Sequence, residues 1–96
     1  MQRAVATAIG FASIAVAVVA SAEPPAGAAA CSGCHPASTR VTSPVPRLAG
    51  LDRAAIVRAM QDFRAGTRAA TVMDRIAKGF TDAEVQAIAA WYAAQK

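Results

Sequence analysis

Cys31-Ser32-Gly33-Cys34-His35 is the stretch on which the reading of this chain turns. Cys-x-x-Cys-His is the attachment pattern of c-type haem. The spacing has a physical reason. Two thiols three residues apart on one helical turn reach the two vinyl groups on one edge of the porphyrin, and the thioether bonds then fix the ring. The adjacent His35 is thereby aimed at the iron from one face, and a proximal imidazole is the usual anchor for haem iron. Three other uses of the motif weigh less. A Cys31–Cys34 disulfide suits an exported protein, yet it closes a tiny loop and stabilises little. A thioredoxin-type redox pair needs a βαβ context, which the sequence lacks. A zinc site needs about four ligands, and the chain offers two Cys and a single His.

Upstream of the motif the chain reads as an export signal. Met1-Gln2-Arg3 is a short positive segment. An apolar run from Ala4 to Ala20 follows, and Ala20-Ser21-Ala22 is the small-x-small pattern of a cleavage site. The expected division is a secretory signal peptide over 1–22 and one domain over 23–96, working in the periplasm. A retained membrane anchor is the other reading of the run, which sits at the lower edge of the about 20 apolar residues a span needs.

Downstream, helical signals dominate. The Ala-rich stretch 26–34 suits a helix, and Pro36 lies just past it because helix interiors exclude proline. Ser38 to Pro46 is a loop by composition. A helix is expected over 51–65, with Asp52 capping its start and Gly66 taking the left-handed position past its end. Ile56, Met60 and Phe63 fall on one face of it. A loop over 67–72 leads to a short helix from Met73 to Lys78, closed by Gly79. Thr81-Asp82-Ala83-Glu84 is a capping box. The last helix then runs to about Ala94, with Val85, Ile88, Ala89 and Tyr92 as its buried stripe and Trp91 flanking it. No useful length alternates with period two. The fold class is all-α.

A chain of 96 residues is at most one domain. The segment after Ala22 has few large apolar residues and much Ala. Domains this small need a disulfide, a metal or a cofactor as a staple. Ten Lys and Arg against six Asp and Glu give a net charge of +4. A mildly basic surface suits docking on an acidic partner, with Arg40, Arg47 and Arg68 as the residues to steer it. The basic residues are not interleaved with aromatics as single-stranded nucleic acid requires, so no nucleic-acid partner is expected. A membrane contact is expected only if the signal segment is retained.

The iron of a haem has a second axial position. His35 is the only histidine, which leaves Met60 and Met73. Met60 shares a face with Ile56 and Phe63 and reads as core. Met73 follows a loop well downstream of His35 and is free to approach the other haem face, although Met also serves widely as gap-filler.

Taken in order, Cys31-Ser32-Gly33-Cys34-His35, then Pro46-Arg47-Leu48-Ala49-Gly50, then Met73, then a C-terminal aromatic helix resembles the class I cytochromes c over nearly the whole of 23–96. Within that class the chain looks like the cytochrome c4 type and the haem subunit of flavocytochrome c sulfide dehydrogenase. Phe63-Arg64-Ala65-Gly66-Thr67-Arg68 and Met73-Asp74-Arg75-Ile76-Ala77-Lys78-Gly79-Phe80 look most like the latter. Two features depart from those relatives: the chain has room for one haem where they usually carry two domains, and Pro36 stands where they commonly have Gly.

The resemblance implies a small cytochrome c fold wrapped around one covalently attached haem c. Cys31 and Cys34 would hold it, with His35 and Met73 as axial ligands to the iron. The Pro46 carbonyl would accept a hydrogen bond from the His35 ring, fixing its tautomer and raising its basicity. The first and last helices would cross where Gly27 and its Ala neighbours allow close approach to Ile88, Trp91 or Tyr92. His/Met ligation raises the reduction potential and fills both axial positions, which suits electron transfer rather than catalysis at the iron. The function implied is an extracytoplasmic carrier of single electrons between redox proteins. The alternative is the haem subunit of a flavin-containing sulfide dehydrogenase, with a flavoprotein as donor.

Overall fold

The computed structural model describes residues 9–15 and 23–95. Most of the expected signal peptide, its cleavage site included, lies outside them. Residues 9–15 form no regular element. No described helix is long and apolar enough to cross a membrane.

Four helices follow one another: α1 (Ala28–Cys31), α2 (Arg53–Ala65), α3 (Met73–Ala77) and α4 (Asp82–Ala93). The described residues contain no strand, and the fold is all-α as expected. Helix α1 is shorter than the 26–34 that Ala content suggests. Its entry is set by Gly27 in the left-handed region at φ 86°, with no side-chain cap. Its exit tightens: Ser32, Gly33 and Cys34 donate to the carbonyls three residues back, those of Ala29, Ala30 and Cys31. Short helix ends commonly close by such three-residue bonds. The turn then stops at Pro36, which has no N–H to continue it.

Helix α2 starts where Asp52 stands in extended backbone and its carboxylate accepts from the Ala55 N–H at 3.1 Å. It ends at Gly66, φ 77°, where the Thr67 N–H reaches back to the Asp62 carbonyl at 3.0 Å. Both ends match the sequence expectation. Its apolar face is less enclosed than the spacing implies. Ile56 is buried, while Met60 and Phe63 are half-buried. At α4 the Thr81 hydroxyl oxygen accepts from the Glu84 N–H at 3.2 Å, and the hydroxyl donates to the Glu84 carboxylate at 3.0 Å. The carboxylate thus meets the Thr81 hydroxyl, where a full capping box would turn it to the backbone N–H.

The core sits where α1 and α2 meet α4. Ala28, Ile56, Ile88, Ala89 and Tyr92 form its buried cluster, with Leu48, Val57, Phe80 and Trp91 packed around it. All four residues of the expected α4 stripe are buried. Arg64 ties the end of α2 to the start of α4, donating to the Asp82 carboxylate at 2.5 Å and to the Phe80 carbonyl at 2.8 Å. Asp82 is largely exposed, so the ion pair itself contributes at most about 1 kcal/mol. Its use is to fix where the segment carrying α3 begins and ends.

Gly27 is the closest approach in the packing. A Cβ built there would lie 2.5 Å from Phe80 Cε1 and 3.5 Å from Ile88 Cδ1. The expected neighbour Ile88 is present, and Phe80 is the tighter one. Gly27→Ala should lower stability by about 1–2 kcal/mol from the left-handed backbone alone, and further because Phe80 must move. Gly66→Ala is the control: its φ is 77°, but nothing lies within 4 Å of the new methyl. Urea unfolding of both variants separates the two costs. Equal losses would mean that Phe80 yields freely.

Candidate haem site

The site is assembled from α1, the loop that follows it and the end of α4. Cys31 closes α1 and is half-buried, Cys34 is exposed, and both are free thiols. They are not joined in a disulfide. The Cys31 thiol faces the Gly27 carbonyl at 3.6 Å. Burial pushes its pKa up, against a smaller lowering from the Cys31 backbone itself. It is therefore held as a neutral thiol, whereas nucleophilic cysteines work as thiolates.

His35 follows through a short turn, its N–H donating to the Cys31 carbonyl at 2.9 Å. Its ring is fixed from the other side. Nδ1 lies 2.6 Å from the Pro46 carbonyl oxygen. A carbonyl only accepts, so Nδ1 carries a proton, and in the neutral ring Nε2 keeps its lone pair. An imidazole oriented by a carbonyl on one nitrogen is set up to bind a metal through the other.

The loop bearing Pro46 is in turn anchored. Ser38 and Ser43 hydroxyls accept from the Arg40 and Val45 N–H groups, both at 3.1 Å, folding the loop on itself. Gly50, at φ 79°, donates its N–H to the Tyr92 carbonyl at 3.0 Å. Arg47 Nε donates to the Ala37 carbonyl at 2.9 Å, across the turn that Pro36 begins. Arg47 therefore braces the haem-motif turn, a task the sequence did not show. Arg68 is also engaged locally, its guanidinium 5.0 Å from the Phe63 ring centre. Of the three arginines expected to steer a partner, Arg40 alone has an exposed side chain with no hydrogen bond or ring contact of its own among the described residues.

Met73 opens α3, half-buried. Exposed Val72 and Ile76 flank it, at 52% and 40%. The neighbouring Asp74 carries a carboxylate oxygen, Oδ1, that is buried without a partner. Met60 lies in the middle of α2 and is half-buried too, so burial does not separate the two methionines.

A cleft of about 160 Å³ opens beside the motif, with Ser32, His35, Pro36, Arg47, Leu48 and Trp91 in its walls. A wider groove of about 670 Å³ runs along the polar side of α2, past Arg53, Arg58 and Gln86. It holds no sulfur or imidazole and has no part in this chemistry. The described residues contain no cluster of three or more His, Cys, Asp or Glu able to hold a metal ion. The donor set is thus two unpaired thiols on one turn beside one imidazole with a free Nε2. That set fits covalent haem c.

No protein-family model matches the chain. Curated proteins do. The chain is 39% identical over 62 residues to the cytochrome subunit of sulfide dehydrogenase of Chlorobaculum tepidum, covering 65% of this chain and 56% of that protein. It is 39% identical over 62 residues to cytochrome c-552 of Acidithiobacillus ferridurans, covering 65% and 27%. It is 38% identical over 65 residues to the thiosulfate dehydrogenase electron acceptor of Stutzerimonas stutzeri, covering 66% and 30%. The chain thus spans between about a quarter and just over half of the length of these relatives. Common sequence with three cytochromes or electron acceptors, an all-α fold and a Cys-x-x-Cys-His turn with an oriented imidazole are consistent with a class I cytochrome c.

Proposed function

We propose that the chain is an exported carrier of single electrons, working in the periplasm as one domain over 23–96 after loss of a signal peptide over 1–22. Cys31 and Cys34 would hold one haem c through thioethers, with His35 and Met73 supplying the protein ligands to its iron. Bound haem supplies a reversible one-electron couple at its iron.

The observation that carries this reading is the 2.6 Å contact between His35 Nδ1 and the Pro46 carbonyl beside two free thiols. The Pro46 carbonyl holds the His35 proton at Nδ1, so that Nε2 stays a ligand in both oxidation states. The Cys31 and Cys34 sulfurs prevent loss of the cofactor. The half-buried Met73 would supply a thioether, which would favour the reduced state and keep small molecules off the metal. With two protein ligands to the iron, the chain would be a carrier and not an enzyme by itself. Arg40 and the net positive charge favour an acidic partner surface.

Its partners are redox proteins. The Stutzerimonas relative is named an electron acceptor, which favours a freely diffusing shuttle. The Chlorobaculum relative is named a cytochrome subunit of sulfide dehydrogenase, which favours a second reading: the haem subunit of an oxidoreductase, fed by a flavoprotein. Gentle purification from the extracytoplasmic fraction and gel filtration, with haem and flavin absorbance followed through every peak, decides between them. A small haem-bearing monomer free of flavin is the expected result. Haem and flavin at a fixed ratio in a larger particle would establish the subunit reading, and the absence of haem would sink both.

A further inference from the structure

Tyr92 is joined to both halves of the His35 environment. It is 5% exposed and lies in α4. Its hydroxyl donates to the Ala28 carbonyl at 2.5 Å, at the start of α1. It also lies 2.8 Å from Ser32 Oγ. Since the Tyr92 proton is committed to Ala28, Ser32 is the donor in that second bond. Ser32 is the first of the two residues between the haem-motif cysteines. The backbone carbonyl of the same Tyr92 accepts from the Gly50 N–H at 3.0 Å, and so fixes the end of the loop whose Pro46 carbonyl holds the imidazole.

We propose that Tyr92 is a positioning residue for the axial imidazole, holding through its hydroxyl the turn that carries His35 and through its carbonyl the loop that orients the ring. The inference rests on the haem c reading of the site. Its physical basis is the cost of the alternative. The Tyr92 hydroxyl is buried and fully used, as donor once and acceptor once, and a buried polar group left without its partner is expensive. With the hydroxyl in place, α1 has one rotational setting against α4. Without it, the Ala28 carbonyl must seek water, and the turn from Cys31 to His35 is free to rotate relative to the Pro46 loop. Ser32 completes the arrangement at the surface, where its hydroxyl has no packing role.

The test uses the full holo-protein and two readouts: the paramagnetically shifted haem methyl resonances of the ferric form, whose pattern reports the plane of the axial imidazole, and the midpoint potential. Tyr92→Phe should redistribute the methyl shifts and lower the potential as water gains access beside the motif. Ser32→Ala should change the pattern in the same sense and by less, with a melting temperature close to that of the wild type because Ser32 is exposed. Ser32→Thr, which keeps the hydroxyl, should restore the wild-type pattern. Methyl shifts and potential that overlay the wild type in Ser32→Ala and in Tyr92→Phe would overturn the proposal, whatever happened to their stability. Should Tyr92→Phe fail to accumulate, the two Ser32 variants decide alone. A wild-type protein with no shifted haem methyls at all would instead remove the haem reading beneath it.

Discussion

Replacing both Cys31 and Cys34 by alanine should abolish covalent haem attachment and leave a chain without a cooperative fold. The first half follows from the chemistry, because each thioether needs its sulfur and the chain has no third cysteine. The second half follows from the core. Among the described residues the buried hydrophobic ones are Ala28, Ile56, Ala77, Val85, Ile88, Ala89 and Tyr92, three of them alanines, and no large side chain is fully enclosed. Burial of a Val, Ile or Leu side chain contributes only about 1.5–3 kcal/mol. Each ordered residue costs roughly 1.5 kcal/mol of conformational entropy. Few large side chains cannot offset that over some seventy residues, so the prosthetic group must act as a structural centre, as metals do in other small domains. Acidified acetone should leave the colour with the wild-type protein and strip it from the double variant. Far-ultraviolet circular dichroism of the double variant should show a broad, shallow thermal transition. A sharp transition near that of the wild type would show that the polypeptide folds on its own packing. A single Cys34→Ala variant should keep one thioether and an intermediate midpoint.

The features readable in one dimension were those whose partners lie within a turn of helix. Asp52, Gly66 and Thr81 act within three to five residues of themselves, and local rules locate them. The α4 stripe follows from the 3.6-residue period. The motif turn was legible for the same reason, since Cys31, Cys34 and His35 are neighbours. Contacts spanning tens of residues were not. The Tyr92 hydroxyl reaches residues 60 and 64 positions away. A tyrosine in an apolar stripe reads as core until its partner is seen. Arg47 was expected to steer a partner and Arg64 had no assigned role, and each braces a loop through a backbone carbonyl. The Pro46 contact lay between these cases. Nothing in the composition of the 38–46 loop marks one carbonyl out, and it came from resemblance to a family. Met60 shows the opposite limit: its spacing placed it on a buried stripe that is only partly enclosed at that point.

Met73→Ala should turn a closed iron into an open one, with the largest functional effect of any single substitution outside the Cys31–His35 turn. A thioether stabilises ferrous iron, and axial ligands together command about 0.8 V of haem potential. Loss of this one should therefore lower the midpoint by a sizeable fraction of that range. The vacated position should take carbon monoxide when reduced and imidazole or cyanide when oxidised, all of which the wild type resists. The cost in stability should be smaller than the effect on the potential, because Met73 is half-buried at the first position of a five-residue helix. Met60→Ala is the matched comparison. Met60 is half-buried in the middle of α2, so its truncation should cost less than the about 2–5 kcal/mol of a fully buried methionine and leave the visible spectrum and the potential where they were. The pair separates ligation from packing. Were Met60→Ala to open the iron and Met73→Ala to leave the spectrum unchanged, the two roles would have to be exchanged. Were neither to open it, the sixth position would be held by a group other than methionine, or by none, and an iron open in the wild type would make this chain a candidate for ligand binding in place of electron transfer.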